Sequence, residues 1–150
     1  MTDGDTSRAL KLWVVLARAY AAVAREVEAD IARSGLTTTE FGILEALHHK
    51  GPLLLGEIQR KVLVTSGGIT YLVDRLVAKG LVTREPSPDD RRARYAVLTP
   101  EGARMIGSIF PDHAEFLTRT MQALTPEEQA NATTLLRKLG LAASGAGDAS

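Results

Sequence analysis

The chain has 150 residues, 45% of them hydrophobic, with 18 Lys/Arg balanced by 18 Asp/Glu and no cysteine. That length predicts one domain, 1–150, able to bury a core, and the lack of cysteine excludes disulfides, thiolate metal sites and cysteine nucleophiles or redox sensors. No stretch approaches the run of about eighteen apolar residues that a membrane helix needs, and the start of the chain lacks the features of a signal peptide, so a cytoplasmic protein with no membrane partner is expected.

Residues 9–33 carry Trp13, Leu16, Tyr20, Val23, Val27 and Ile31 at three- and four-residue spacing, which predicts a long helix with one apolar face. Gly35 ends it. A second helix starts at Thr37 or Thr38, with Glu40 placed to close a capping box and Phe41, Leu44 and Leu47 as its buried stripe. Gly51 and Pro52 break that helix, and a short one over 56–62 follows. After a three-residue link comes a helix over 66–79, burying Ile69, Leu72, Val73, Leu76 and Val77 and stopping at Gly80. Two helices so closely joined make a helix-turn-helix candidate.

Two short runs with strand-forming residues, "LVTREP" and "RYAVLT", flank the polar "SPDDRRA" and predict a β-hairpin over 82–98. Thr99, Pro100 and Glu101 then start a long helix that runs to about Ala123. Thr125, Pro126 and Glu127 start a last one, to about Leu139, with Gly140 as its stop and 141–150 as a frayed tail.

The charge is unevenly spread: residues 57–95 hold eight Lys/Arg against five Asp/Glu, a local +3. Two glycines, Gly67 and Gly68, open the helix over 66–79, although each costs roughly 0.5–1 kcal/mol against alanine in a helix. Close approach to DNA accounts for them. With Thr65 as N-cap and Ser66 beside it, the first turn would turn backbone N–H groups toward a phosphate or a base acceptor. The competing reading is that the pair only loosens a tight turn. Thr70 and Tyr71 on the exposed face could touch thymine methyls or phosphates, and Arg75 could pair with phosphate or guanine. Asp74 suits the orientation of a nearby arginine better than the reading of a base. At the hairpin tip, Arg91, Arg92 and Arg94 stand with Asp89 and Asp90. Arginine suits a narrow, electronegative minor groove, and Asp90 would hold one arginine in position.

The segment 64–102 resembles the winged helix-turn-helix of the MarR regulators. The family's wing motif, Asp-x-Arg, five residues, Leu-Thr-x-x-Gly, is matched by Asp90, Arg92, Leu98, Thr99 and Gly102. The resemblance implies a mainly α fold with a small β-hairpin wing: a winged helix-turn-helix over 37–100 and dimerisation helices over 9–33 and 103–140. It further implies a homodimer that binds a pseudopalindromic operator on double-stranded DNA, usually repressing, and releases it when a small-molecule effector enters a pocket between the dimer and DNA-binding parts. Trp13, Tyr20, Phe41, His48 and Met105 are the candidate pocket residues, each also readable as core. Arg92 would take the minor-groove role and Asp90 the positioning role. Leu63 departs from the family's turn glycine, and Gly56 from its usual helix N-cap.

The amphipathic long helices predict self-association independently, because a small winged domain cannot cover them alone. No cofactor or metal is expected: His48 and His49 are adjacent and face different ways on a helix, and His113 has no second histidine four residues away. No nucleophile beside a base and no suggestive carboxylate pair points to an enzyme. The alternative function is a winged-helix protein-interaction module that ignores DNA, and the arginine-rich tip weighs against it.

Overall fold

The computed structural model describes residues 1–62 and 66–145. In chain order the elements are α1 (Asp3–Ala32), α2 (Thr38–Lys50), β1 (Leu53–Leu54), α3 (Leu55–Val62), α4 (Ser66–Ala78), β2 (Val82–Pro86), β3 (Arg94–Leu98), α5 (Pro100–Met121) and α6 (Pro126–Ala143). The chain divides into two compact units, Met1–Ala114 and Glu115–Ser150, with the boundary inside α5.

The core of the first unit is built where three helix stripes and the sheet converge. Phe41, Ile43, Leu44 and Leu47 of α2 meet Ile58 of α3 and Ile69, Val73 and Leu76 of α4, closed by Val82, Ala96 and Ile106. Full burial of each such side chain stabilises by about 1.5–3 kcal/mol. The expected α2 start is found: Thr37 caps the helix, its Oγ1 accepting from the Glu40 N–H at 3.1 Å while Glu40 Oε1 accepts from the Thr37 N–H at 3.0 Å.

Several boundaries differ from those expected. Helix α1 begins six residues before residue 9, because Thr2 and Asp5 form a capping box of their own. Helix α6 passes through Gly140 to Ala143, since a single glycine costs only about 1 kcal/mol when the turns on both sides hold. Val77 is 40% exposed, so the α4 stripe is Ile69, Val73 and Leu76 with Leu72 partly covered. The wing is a three-stranded antiparallel sheet in the order β1-β3-β2, not a lone hairpin. Leu53 pairs with Ala96 and Leu54 with Tyr95, which makes β3 central and leaves β2 at an edge.

The junction of α4, the sheet and α5 explains the second half of the wing motif. After α4 the chain turns at Gly80, whose φ of 76° lies in the left-handed region that favours glycine. Thr99 then ties the far end of the hairpin back to this turn. Its N–H donates to the Leu81 carbonyl at 3.1 Å, its Oγ1 donates to the Gly80 carbonyl at 2.7 Å, and the same oxygen accepts from the Gly102 N–H at 3.0 Å as the α5 N-cap. Helix α5 comes so close here that a Cβ on Gly102 would lie 2.1 Å from the Leu81 carbonyl oxygen. Only glycine fits.

In the second unit, Thr125 and Glu128 form the capping box that starts α6, and the Gln129 side chain donates to the Met121 and Leu124 carbonyls at 2.9 and 3.1 Å. These bonds satisfy carbonyls left open where α5 ends.

Candidate nucleic-acid interface

The tip of the wing, residues 87–93, is closed by main-chain bonds. The Ser87 N–H donates to the Ala93 carbonyl and the Ala93 N–H to the Asp90 carbonyl, each at 3.1 Å. Asp90 Oδ1 accepts from the Arg92 backbone N–H at 2.9 Å. The aspartate therefore shapes the turn that presents Arg92, through the main chain of that residue. Arg91, Arg92 and Arg94 are all exposed. The Arg94 Nη1 donates to the Arg91 and Ala93 carbonyls at 3.0 and 3.3 Å, so this arginine also serves the turn.

On α4, Thr70, Tyr71, Asp74 and Arg75 are exposed, opposite the buried stripe. The Arg75 guanidinium lies 5.9 Å from the centroid of the Tyr71 ring, within cation–π range. Asp74 forms an ion pair with Arg84 of β2, so it does orient an arginine, one outside the turn. Gly68 is in the first turn of α4, where helical backbone does not demand glycine. Thr65, the expected N-cap, and the Leu63 departure lie outside the described residues.

A buried carboxylate anchors the other end of α4. Glu40 is fully buried, and its Oε2 accepts from Lys79 Nζ at 2.8 Å, while Arg75 approaches Oε1 at 4.0 Å. Burial pushes this carboxyl upward. The Lys79 hydrogen bond, the Thr37 bonds and the lysine charge outweigh that and hold it below the ordinary glutamate value.

A sequence model of the MarR family matches residues 34–93. The HTH-type transcriptional regulator MhqR of Bacillus subtilis is 42% identical over 136 residues, spanning 91% of this chain and 94% of MhqR. The chain belongs to the MarR family. Among solved structures, BpsR of Bordetella bronchiseptica, whose DNA binding is regulated by 6-hydroxynicotinic acid, is 29% identical with a TM-score of 0.76 over 84% of this chain and 90% of BpsR. A mutant MarR from E. coli complexed with operator DNA is 26% identical, also with a TM-score of 0.76, over 88% of this chain and 95% of that one.

Against the MarR wing motif, the geometry separates two kinds of residue. Thr99 and Gly102 hold the wing to α4 and α5, whereas Asp90 and Arg92 form the exposed tip. The five candidate effector residues do not come together. Phe41 is core, packed edge-on against the His113 ring at 4.7 Å between centroids, and Met105 packs partly buried against the core. Trp13 and His48 are exposed. Tyr20 alone of the five lines the cleft of about 520 Å³ bounded by α1, α2 and α3, with Thr38, Glu45, His49 and Lys61 among its neighbours there.

Three working residues were missed from sequence: Glu40 as an anchor, Arg84, and the buried His113, whose Nδ1 lies 2.9 Å from Asp30 Oδ2. Glu40 was legible only as a cap, and its partner Lys79 is 39 residues away. Arg84 and Asp74 are ten apart, on a strand and a helix, so no single-element periodicity links them.

Proposed function

We propose that the protein is a homodimeric, ligand-responsive transcriptional repressor that binds a pseudopalindromic DNA operator in the cytoplasm. The start of α4 (Ser66, Gly67, Gly68, Thr70, Tyr71 and Arg75) would enter the major groove, and the wing arginines the minor groove. The observation that carries this reading is the wing tip. Asp90 shapes a turn from which exposed Arg91 and Arg92 project, and among the described residues neither guanidinium forms an ion pair. Cations left unneutralised on a projecting tip favour a phosphate-rich partner. The likeness to the E. coli MarR variant complexed with operator DNA supports the same reading.

Self-association rests on surface left bare within the chain. Leu10, Leu12, Trp13, Val15 and Tyr20 of α1 are 56–74% exposed, and an apolar run of that extent calls for a covering surface. Leu135, Leu136 and Leu141 of α6 are exposed in the same way. A second copy supplies both covers and pairs two α4 helices for half-sites about one helical turn apart, roughly 10 base pairs. The effector reading rests on the cleft beside Tyr20 and on the likeness to ligand-regulated BpsR.

The test is selection of duplexes from a random-sequence library, followed by anisotropy titration over a range of salt. A pseudopalindromic winner whose affinity falls steeply with salt is expected. Arg92→Ala should weaken its binding by about 1–3 kcal/mol with the dimer intact. Unchanged affinity would remove the wing from the interface.

A further inference from the structure

The ion pair between Asp74 and Arg84 sits where a DNA-reading protein should tolerate no stray carboxylate. Asp74 lies on the exposed face of α4, beside Thr70, Tyr71 and Arg75, and its side chain is 55% exposed. A bare aspartate there would repel the phosphates that the neighbouring arginine attracts. Arg84 cancels that charge. Its Nη2 also reaches the Thr70 carbonyl at 3.4 Å, so one guanidinium contacts two acceptors four residues, about one turn, apart on α4.

Contact with both points restricts the rotation of α4 about its axis, not merely its distance from the sheet. Arg84 is well placed to impose this. It stands opposite buried Ala96 in the middle of the β2–β3 ladder, with paired residues on both sides of it. Side-chain tips lie about 5–6 Å from a helix axis, so a rotation of about 10° displaces them by about 1 Å. That is enough to lose a base contact whose length tolerance is a few tenths of an ångström.

We propose that Asp74 and Arg84 are a positioning pair, which locks the recognition helix to the wing at one rotational setting so that both grooves are read in register, and that neither side chain contacts DNA. This rests on the DNA-binding reading above. Both side chains are partly solvated, with Arg84 32% exposed, so the pair contributes little to stability and its loss should show in recognition.

The experiment compares wild type, Asp74→Asn, Arg84→Gln and the charge swap Asp74→Arg/Arg84→Asp, each titrated against a duplex selected by the wild type and against its scrambled counterpart, with a thermal melt of every variant. Both single variants should lose about tenfold in the ratio of selected to scrambled affinity, with melting nearly unchanged. Their effects on the scrambled duplex should oppose each other, because one substitution removes a negative charge and the other a positive one. The swap should recover the ratio to within about threefold of wild type, because it restores the pair with net charge unchanged.

A swap no better than the weaker single variant overturns the proposal, since a side chain that touched DNA itself could not be exchanged. So does a loss confined to Arg84→Gln, which would make Arg84 a plain phosphate contact. A wild type that enriches no duplex overturns the DNA-binding reading and this one with it, so the two failures are told apart.

Discussion

Helix α4 and the first two-thirds of α1 are both amphipathic helices of the same unit, and they end in opposite states. In α4, Val73 and Leu76 are fully buried and Ile69 nearly so, its Asp74 is bound to Arg84 of β2, and Lys79, just past its end, is bound to Glu40 of α2. In α1, the first residue to be fully buried is Ile31, near its C-terminal end, while Trp13 and Tyr20 are 64% and 74% exposed. The difference teaches where packing is completed. The winged part closes its apolar core within one chain, whereas α1 presents an apolar face that is finished only by another surface.

The sharpest way to break the winged side is Gly102→Ala. The added methyl would sit 2.1 Å from the Leu81 carbonyl oxygen, and because the obstruction is backbone, the α4–sheet–α5 junction must shift. A loss of about 3 kcal/mol or more is expected, read as a large fall in melting temperature with DNA binding lost alongside. A melt within a degree or two of wild type would show that the junction yields.

The α1 side breaks differently. Trp13→Glu places a charge on the exposed apolar face and should weaken self-association by about 2–4 kcal/mol, since a large aromatic anchor is replaced by an ion that must be desolvated. Sedimentation across a dilution series checks this, while the circular dichroism spectrum of the isolated chain should stay helical. Unaltered association would move the dimer surface elsewhere.

Glu40→Gln tests whether the α4 anchor is electrostatic. Glutamine keeps the Thr37 capping bonds and removes the charge facing Lys79, so a destabilisation of about 1–2 kcal/mol is expected. The pH dependence has a definite sign. A glutamate whose folded value is depressed contributes in full above the unfolded value of about 4.3, and the contribution disappears as pH falls through the folded value. Wild-type stability should therefore drop below about pH 4.5 by more than that of Glu40→Gln. Parallel curves would locate the acid sensitivity in other carboxylates.

The smallest effect on stability, and the most local, should come from Gly68→Val. Valine is a poorer helix former than alanine yet better than glycine, so melting should change by less than about 1 kcal/mol. Binding to the selected duplex should nonetheless weaken through loss of close approach. Wild-type affinity would mean that the glycines serve only the turn.

The sequence alone determined what local chemistry can write. The capping box at Thr37, the helix start at Thr125, the apolar period of α2, the stop at Gly80 and the hairpin with its arginine tip are each encoded within a few residues of one another, and each is where it was expected, while the α4 stripe is found without Val77. Strand β1 was illegible because two residues have no period; only pairing with β3 makes them a strand. The tertiary structure decided the rest: Lys79 on Glu40, Arg84 on Asp74, and the carbonyl that forbids a side chain at Gly102. Those contacts join residues 10 to 39 positions apart through geometry, and the fold had to bring them together before their chemistry could exist.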